Sequence, residues 1–211
     1  RRPRGTARRA AAAASDVHKR QEGKNDLDVA GLLSAAAKDK LDVLFLLGAD
    51  EIDLPEAGST FVIYQGSHGD RSAHRADVIL PGAAYTGKNA SGINTEGRVQ
   101  LGRRAVFPPG QAREDWTILR ALSGVPGKTL PYNDLAGIRA AMEEDAPHFA
   151  MTDVVAPADE MPSLSEGNLD AAPFESPVKD FYMTNPVARA SAVMAECAAG
   201  RAAAARIQAA E

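Results

Sequence analysis

Cysteine is the scarcest chemistry in this sequence: Cys197 stands alone among 211 residues. One thiol cannot hold an iron–sulfur cluster or a structural zinc, each of which takes about four ligands. It closes no internal disulfide either, which fits a reducing compartment. Histidine is thin as well. His18, His68, His74 and His148 are scattered, and none has zinc-type spacing to a carboxylate or thiol. No apolar run approaches the roughly 20 residues that span a bilayer. The net charge of −4 lacks the positive excess of a nucleic-acid surface. Aromatics make up only 5%, while alanine is heavily used, above all at the two ends.

What is present suits a soluble globular protein of one domain with tails: 45% hydrophobic and 25% charged residues. Residues 1–22 stand apart. RRPRGTARRAAAAA is basic, alanine-rich and acid-poor, the composition of an organellar transit peptide. The favoured reading is out-of-frame or read-through translation at the edge of a fragmentary gene. The segment is left out of the expected fold.

From Asp26, a plausible N-cap, Val29, Leu32, Leu33 and Ala36 fall at helical spacing, and Lys38-Asp39-Lys40 suits a helix end. DVLFLL (Asp42–Leu47) then reads as a parallel strand covered on both faces. Two more apolar runs, Phe61–Gln65 and Asp77–Leu80, read as further buried strands, the second stopped by Pro81-Gly82. The connections are about as short as parallel crossovers allow, on the order of a dozen residues. If the strands are parallel, their loops share one sheet edge, where doubly wound folds place ligands. Such a crevice would be lined by Asp50, Ser67, His68, Asp70 and Tyr85.

Ile93 and Val99 flank a Glu-Gly turn, which predicts a small hairpin. A helix is expected from near Ala112, with Trp116, Leu119 and Leu122 as its core stripe. A second is expected after Asn133, with Leu135, Ile138 and Met142. From Ala146 to Lys179 prolines recur and apolar residues are isolated, the pattern of an extended arm lying on a surface. Asn185-Pro186 opens a terminal helix with Val187, Ala190, Met194 and Cys197 on one face, and its alanine-rich end beyond Gly200 is expected to fray.

Three polar sets carry candidate chemistry. Gly66 to Asp70 can cradle an anion through backbone N–H groups, with Ser67 and His68 as added donors, although the spacing is not that of a phosphate-binding glycine motif. The plainer reading is a tight strand-to-helix turn with Asp70 as cap. His74 has no nucleophile at a diagnostic offset. Asn94, Glu96 and Arg98 form a denser set, in which Arg98 pairs with an acid or binds a ligand anion. A network holding the loop is favoured. The residues alone give an α/β domain with a polar strand-end crevice, no catalytic set and no metal site.

LDVLFLLGADEID, FVIYQGSHGD, AHRADVILPGAAYT, NTEGRVQ, RAVFPPGQAREDWTILRALS and KDFYMTNPVARAS, in this order, add a resemblance. The sequence resembles the large iron–sulfur subunit of respiratory complex I, within the molybdopterin oxidoreductase superfamily. The likeness runs from about Gly23 to Cys197. It departs at Gly87–Asn94, where family members usually read Glu-Lys-Ser-(Gly/Ala)-Thr-(Tyr/Phe)-Val-Asn.

The resemblance implies a partial doubly wound, mainly parallel sheet over residues 23–145, then an arm and terminal helix over 146–211. It implies a scaffold role in electron transfer from NADH to quinone coupled to proton translocation. The chain itself would carry no cofactor; 2Fe-2S and 4Fe-4S clusters would sit elsewhere in the intact subunit. Its partners would be other hydrophilic-arm subunits, with no nucleic acid and no membrane insertion. The location implied is peripheral, on the cytoplasmic face of a bacterial inner membrane or the mitochondrial matrix side. Ser67, His68, Asp70, Asn94 and Arg98 are the candidates for a vestigial crevice. Two alternatives stay open here. One is a fragment of an active molybdopterin enzyme such as a formate dehydrogenase, with His68, Asp70 and Asn94 on the pterin dinucleotide. The other is a stand-alone nucleotide-binding module.

Overall fold

The computed structural model describes residues 10–13, 27–54, 58–155, 172, 173, 176, 178 and 180–208. They fall in two compact units, residues 1–155 and 156–211, and each is described by itself. Asp26, most of the leader and most of the arm lie outside the described residues.

The first unit is built on a parallel sheet. Its strands β1 (Ala10–Ala13), β2 (Val43–Leu47), β3 (Phe61–Gly66) and β4 (Val78–Pro81) lie in sequence order. The last three are the expected apolar runs, paired in parallel as Phe45–Ile63–Val78 and Leu47–Gln65–Leu80. β1 comes from the stretch left out of the expected fold, and its four alanines pair with Leu44–Leu47. Alanine is depleted in strands, so local preference carries no sign of it.

Helix α1 (Val29–Ala37) starts at Asp28, whose Oδ1 accepts the Gly31 N–H at 2.7 Å. Such a cap stabilises a helix by about 1 kcal/mol. The helix stops where expected, by a backbone device rather than the lysine charges. Asp39 turns left-handed (φ 53), and the Asp39 and Lys40 N–H groups return to Ala36 and Ala35 carbonyls. Helix α2 (Asp70–Ala73) is a single turn between β3 and β4, and Gly69 (φ 85) holds the capping position expected of Asp70. Leu32, Ala35 and Ala36 of α1 and Ala73 of α2 bury Leu44, Leu46, Val62 and Tyr64. Both helices therefore cover the same face of the sheet.

The expected hairpin forms a separate two-stranded sheet, β5 (Ala90–Ile93) and β6 (Val99–Gly102). Helices α3 (Asp115–Gly124) and α4 (Leu135–Asp145) follow. α3 begins at Asp115 rather than near Ala112, and its apolar stripe is only half-buried. α4 is capped by Asp134, which accepts the Gly137 N–H at 2.8 Å, and not by Asn133. The Asn133 side-chain oxygen is instead taken by Arg120 Nη2 at 3.1 Å. Of the predicted arm, residues 147–150 form a 3₁₀ turn and Thr152 bridges in parallel to Val99.

In the second unit Asn185 caps as predicted, accepting the Ala188 N–H at 2.9 Å, with Pro186 in first position. The single terminal helix is in fact two: α5 (Pro186–Arg189) ends after one turn, and α6 (Ala192–Gln208) follows. The predicted Val187-to-Cys197 face is therefore interrupted at Ala190-Ser191. α6 runs well beyond Gly200, where fraying was expected, because alanine is the strongest helix former.

Candidate functional site

The C-terminal ends of β2, β3 and β4 share one sheet edge, and a cleft of about 310 Å³ opens there. Gly48 (φ 61) turns the chain out of β2 while its N–H bonds the Gln65 carbonyl at 2.8 Å. Asp50 and Ser67 line the cleft as the sequence predicts, together with Gln65, Lys88 and Asp115, which it did not single out. His68 and Tyr85 do not line it.

The polar groups of this cleft face one another. Gln65 is fully buried, and its Nε2 donates to Asp115 Oδ1 at 3.0 Å. Lys88 Nζ donates to Asp115 Oδ2 at 2.5 Å. Both side chains of that ion pair are mostly shielded, 26% and 29% exposed, so the attraction is screened less than at an open surface. Asp115 opens α3, where a carboxylate also meets the positive end of the helix dipole. The Tyr64 hydroxyl donates to the Asp50 carboxylate. Beneath that loop the buried Ser72 hydroxyl donates to the Ile52 carbonyl at 2.9 Å and accepts its N–H at 3.1 Å. Gly82 permits the close approach of α3, since a Cβ there would stand 2.7 Å from Asp115 Oδ1.

One residue further back, Glu114 ties the same loop to the same helix. Its Oε2 accepts Trp116 Nε1 at 2.8 Å. Its Oε1 accepts the Asn89 backbone N–H at 3.1 Å and the Asn89 side-chain amide at 3.2 Å. Burial pushes the Glu114 carboxyl up, but the Trp116 and Asn89 hydrogen bonds and the Arg104 charge outweigh it and hold the group below its ordinary value. Together, Lys88–Asp115 and Asn89–Glu114 stitch the loop after β4 to the start of α3.

The remaining predicted residues lie elsewhere. Ser67 Oγ and His68 Nδ1 are 2.8 Å apart, a bond between neighbours on the turn after β3. That is the bond the structure gives the His68 ring among the described side chains. Asp70 is the first residue of α2. Tyr85 is 74% exposed on a 3₁₀ turn. Asn94 and Arg98 belong to the hairpin turn. Asn94 Oδ1 accepts the Glu96 and Arg98 N–H groups, both at 3.0 Å, with Gly97 left-handed at φ 83. Arg98 bonds Glu96 at 3.3 Å and, through Nη1, the Asp153 carbonyl at 2.9 Å. The network-holding reading of this set is the one the geometry realises. Among the described residues no group of three or more histidine, cysteine or acidic side chains is placed to hold a metal. No described helix is long and apolar enough to cross a membrane.

A parallel α/β sheet with a polar strand-end cleft defines a broad class, and comparison with known proteins narrows it. The family model for molybdopterin oxidoreductase matches residues 5–125, more than half of the chain, and the chain belongs to that family. The model for the C-terminal region of the G-type subunit of NADH-ubiquinone oxidoreductase matches residues 153–197. Among curated relatives, the chain is 46% identical over 171 residues to the mitochondrial NADH-ubiquinone oxidoreductase 78 kDa subunit of Candida albicans, covering 75% of the chain and 24% of that protein. It is 43% identical to the 78 kDa subunit of Neurospora crassa, over 78% of the chain and 23% of the relative. It is 42% identical to the 75 kDa subunit of Reclinomonas americana, over 73% and 23%. The chain thus spans about a quarter of the length of the relatives it matches. The resemblance to the large subunit of complex I holds, and the match favours neither a formate-dehydrogenase-like fragment nor a stand-alone nucleotide-binding module.

Proposed function

We propose that this chain is a structural scaffold within the large subunit of a proton-translocating NADH:quinone oxidoreductase and performs no chemical step itself. The observation that carries this reading is the inward turn of the cleft's polar groups, with Gln65 and Lys88 both engaged by Asp115. The cleft's donors are thus taken up by a carboxylate and hold loops in place, and the buried Gln65 Oε1, which has no partner among the described residues, is an acceptor and offers nothing to an anionic ligand.

The donor set does not suit a phosphate-bearing pterin dinucleotide. Two carboxylates, Asp50 and Asp115, line the cleft, and its lysine is already paired. Nor do the residues fit an iron–sulfur cluster, since Cys197 offers one thiolate where about four are needed. The 2Fe-2S and 4Fe-4S clusters that relay electrons are held by other parts of the subunit. The subunit sits in the hydrophilic arm, peripheral to the membrane on its matrix or cytoplasmic side, against the other subunits of that arm. The arm from Ala146 to Cys197 docks on a neighbouring part of the subunit or complex, and Arg98 bonds the Asp153 carbonyl near its start.

The test is Lys88→Met and Asp115→Asn in the assembled oxidoreductase. A scaffold predicts less assembled complex with unchanged NADH:quinone turnover per complex. Normal assembly with a tenfold lower turnover would overturn the reading.

A further inference from the structure

We propose that the groove between the β6–α3 loop and α3 is a docking site for an acidic segment of another subunit, one that carries an aromatic or leucine side chain. The groove measures about 550 Å³. Phe107, Pro108, Trp116 and Leu135 line it as apolar walls, and Arg104 and Arg113 stand among them. Clefts of roughly 300–1,000 Å³ take a drug-sized molecule, so a large side chain with its neighbours fits.

The loop that forms one wall is exposed and yet fixed. Phe107 is 80% and Val106 58% exposed. The Ala105 and Val106 N–H groups both donate to the Thr86 carbonyl, at 2.9 and 3.2 Å. The Arg104 N–H donates to Asn89 Oδ1 at 3.2 Å. Pro108-Pro109 stiffens the chain just beyond. The Arg104 guanidinium lies 4.5 Å from the centre of the Phe107 ring, a cation–π contact that orders both side chains. Part of the ordering cost of binding is therefore already met.

The sign of the partner follows from charge. Residues 99–113 hold Arg103, Arg104 and Arg113 and no acid, in a chain whose net charge is −4. Glu114 also lines the groove, but Trp116, Asn89 and Arg104 take up its carboxylate. Among the described residues Arg103 and Arg113 form no ion pair. The exposed Arg113 guanidinium donates to the Ala112 carbonyl at 2.9 Å, which leaves its charge for a carboxylate.

Composition indicates a separately folded partner. Packing within one fold makes an apolar core that excludes unpaired charge. Aromatics beside arginine are enriched where separate proteins meet. The inference rests on the proposed place of this chain in the oxidoreductase, not on the absence of catalysis.

Photo-cross-linking tests it. Phe107→p-benzoylphenylalanine is introduced into the assembled oxidoreductase, and the cross-linked peptides are sequenced after irradiation. The expected product is one segment of another subunit, with acids outnumbering bases and an aromatic or leucine residue within it. Cross-links to the same subunit would overturn the proposal, and so would cross-links to phospholipid or to a basic or neutral segment. A yield no higher than from Lys128→p-benzoylphenylalanine, at an exposed position outside the groove, would overturn it as well. Adding Arg113→Glu sets like charges against each other and should lower the yield about fivefold or more; an unchanged yield contradicts the proposal. Arg113→Gln repeats the measurement where Arg113→Glu fails to assemble. The readout is independent of turnover, so its failure and that of the scaffold reading are distinguishable.

Discussion

Replacing Asp115 with alanine removes the acceptor shared by Gln65 and Lys88. Gln65 is fully buried, and its Oε1 has no hydrogen-bond partner among the described residues. The substitution strands its Nε2 as well, and an unsatisfied buried donor costs about 1–3 kcal/mol. Lys88 loses an ion pair whose side chains are 26% and 29% exposed. That is partly screened and contributes about 1 kcal/mol more. The sum is about 2–4 kcal/mol, which at a urea m-value of about 2 kcal/mol per molar lowers the midpoint by about 1–2 M. Trp116, the only tryptophan, is the next residue and gives the fluorescence readout. The partner variant Gln65→Leu completes a double-mutant cycle. Residues bonded as these are should couple by at least about 0.5 kcal/mol. A midpoint shift below about 0.3 M on the same m-value, or a coupling near zero, would refute the assignment of Asp115 as the tie between sheet and α3.

Two other substitutions probe the same framework. Because the folded structure holds the Glu114 carboxyl below its ordinary value of 4.5, the ionised form is favoured on folding. The resulting stabilisation is full above about pH 4.5 and lost as pH falls through the lowered folded value. The urea-midpoint gap between wild type and Glu114→Gln should therefore shrink between neutral pH and about pH 3; a constant gap would contradict the assigned cause. Arg98→Ala removes the bond to the Asp153 carbonyl. Hydrogen exchange at the Asp153 amide, bonded to the Val99 carbonyl at 2.7 Å, should accelerate several-fold. Unchanged protection there would show that the β6 pairing holds the segment without the arginine.

The fold was legible where the chain's own periodicity encodes it. VLFLL, FVIY and the run before Pro81 read as strands, and their connections are just long enough for the parallel crossovers that the structure shows. The Asn94–Arg98 turn was also legible, because its ties are local and Gly97 marks the left-handed position. The site was legible only in outline. Asp50 and Ser67 sit at strand ends and were found by position. Gln65 and Asp115 are 50 residues apart and meet only when the sheet edge meets α3, which no spacing rule anticipates. One signal was available: a glutamine ending an otherwise apolar strand must find a partner when buried. The choice of Asp134 over Asn133 as cap was beyond local reading for the same reason, since Arg120 claims the asparagine from another helix.

The strand-end cleft is either an internal tie or a ligand site. Calorimetric titration of the 211-residue chain with NADH, and separately with a pterin dinucleotide, tests this most directly. An internal tie predicts no saturable heat up to millimolar ligand. Saturable binding that is lost in the Lys88→Met variant would contradict it and make the cleft a working site.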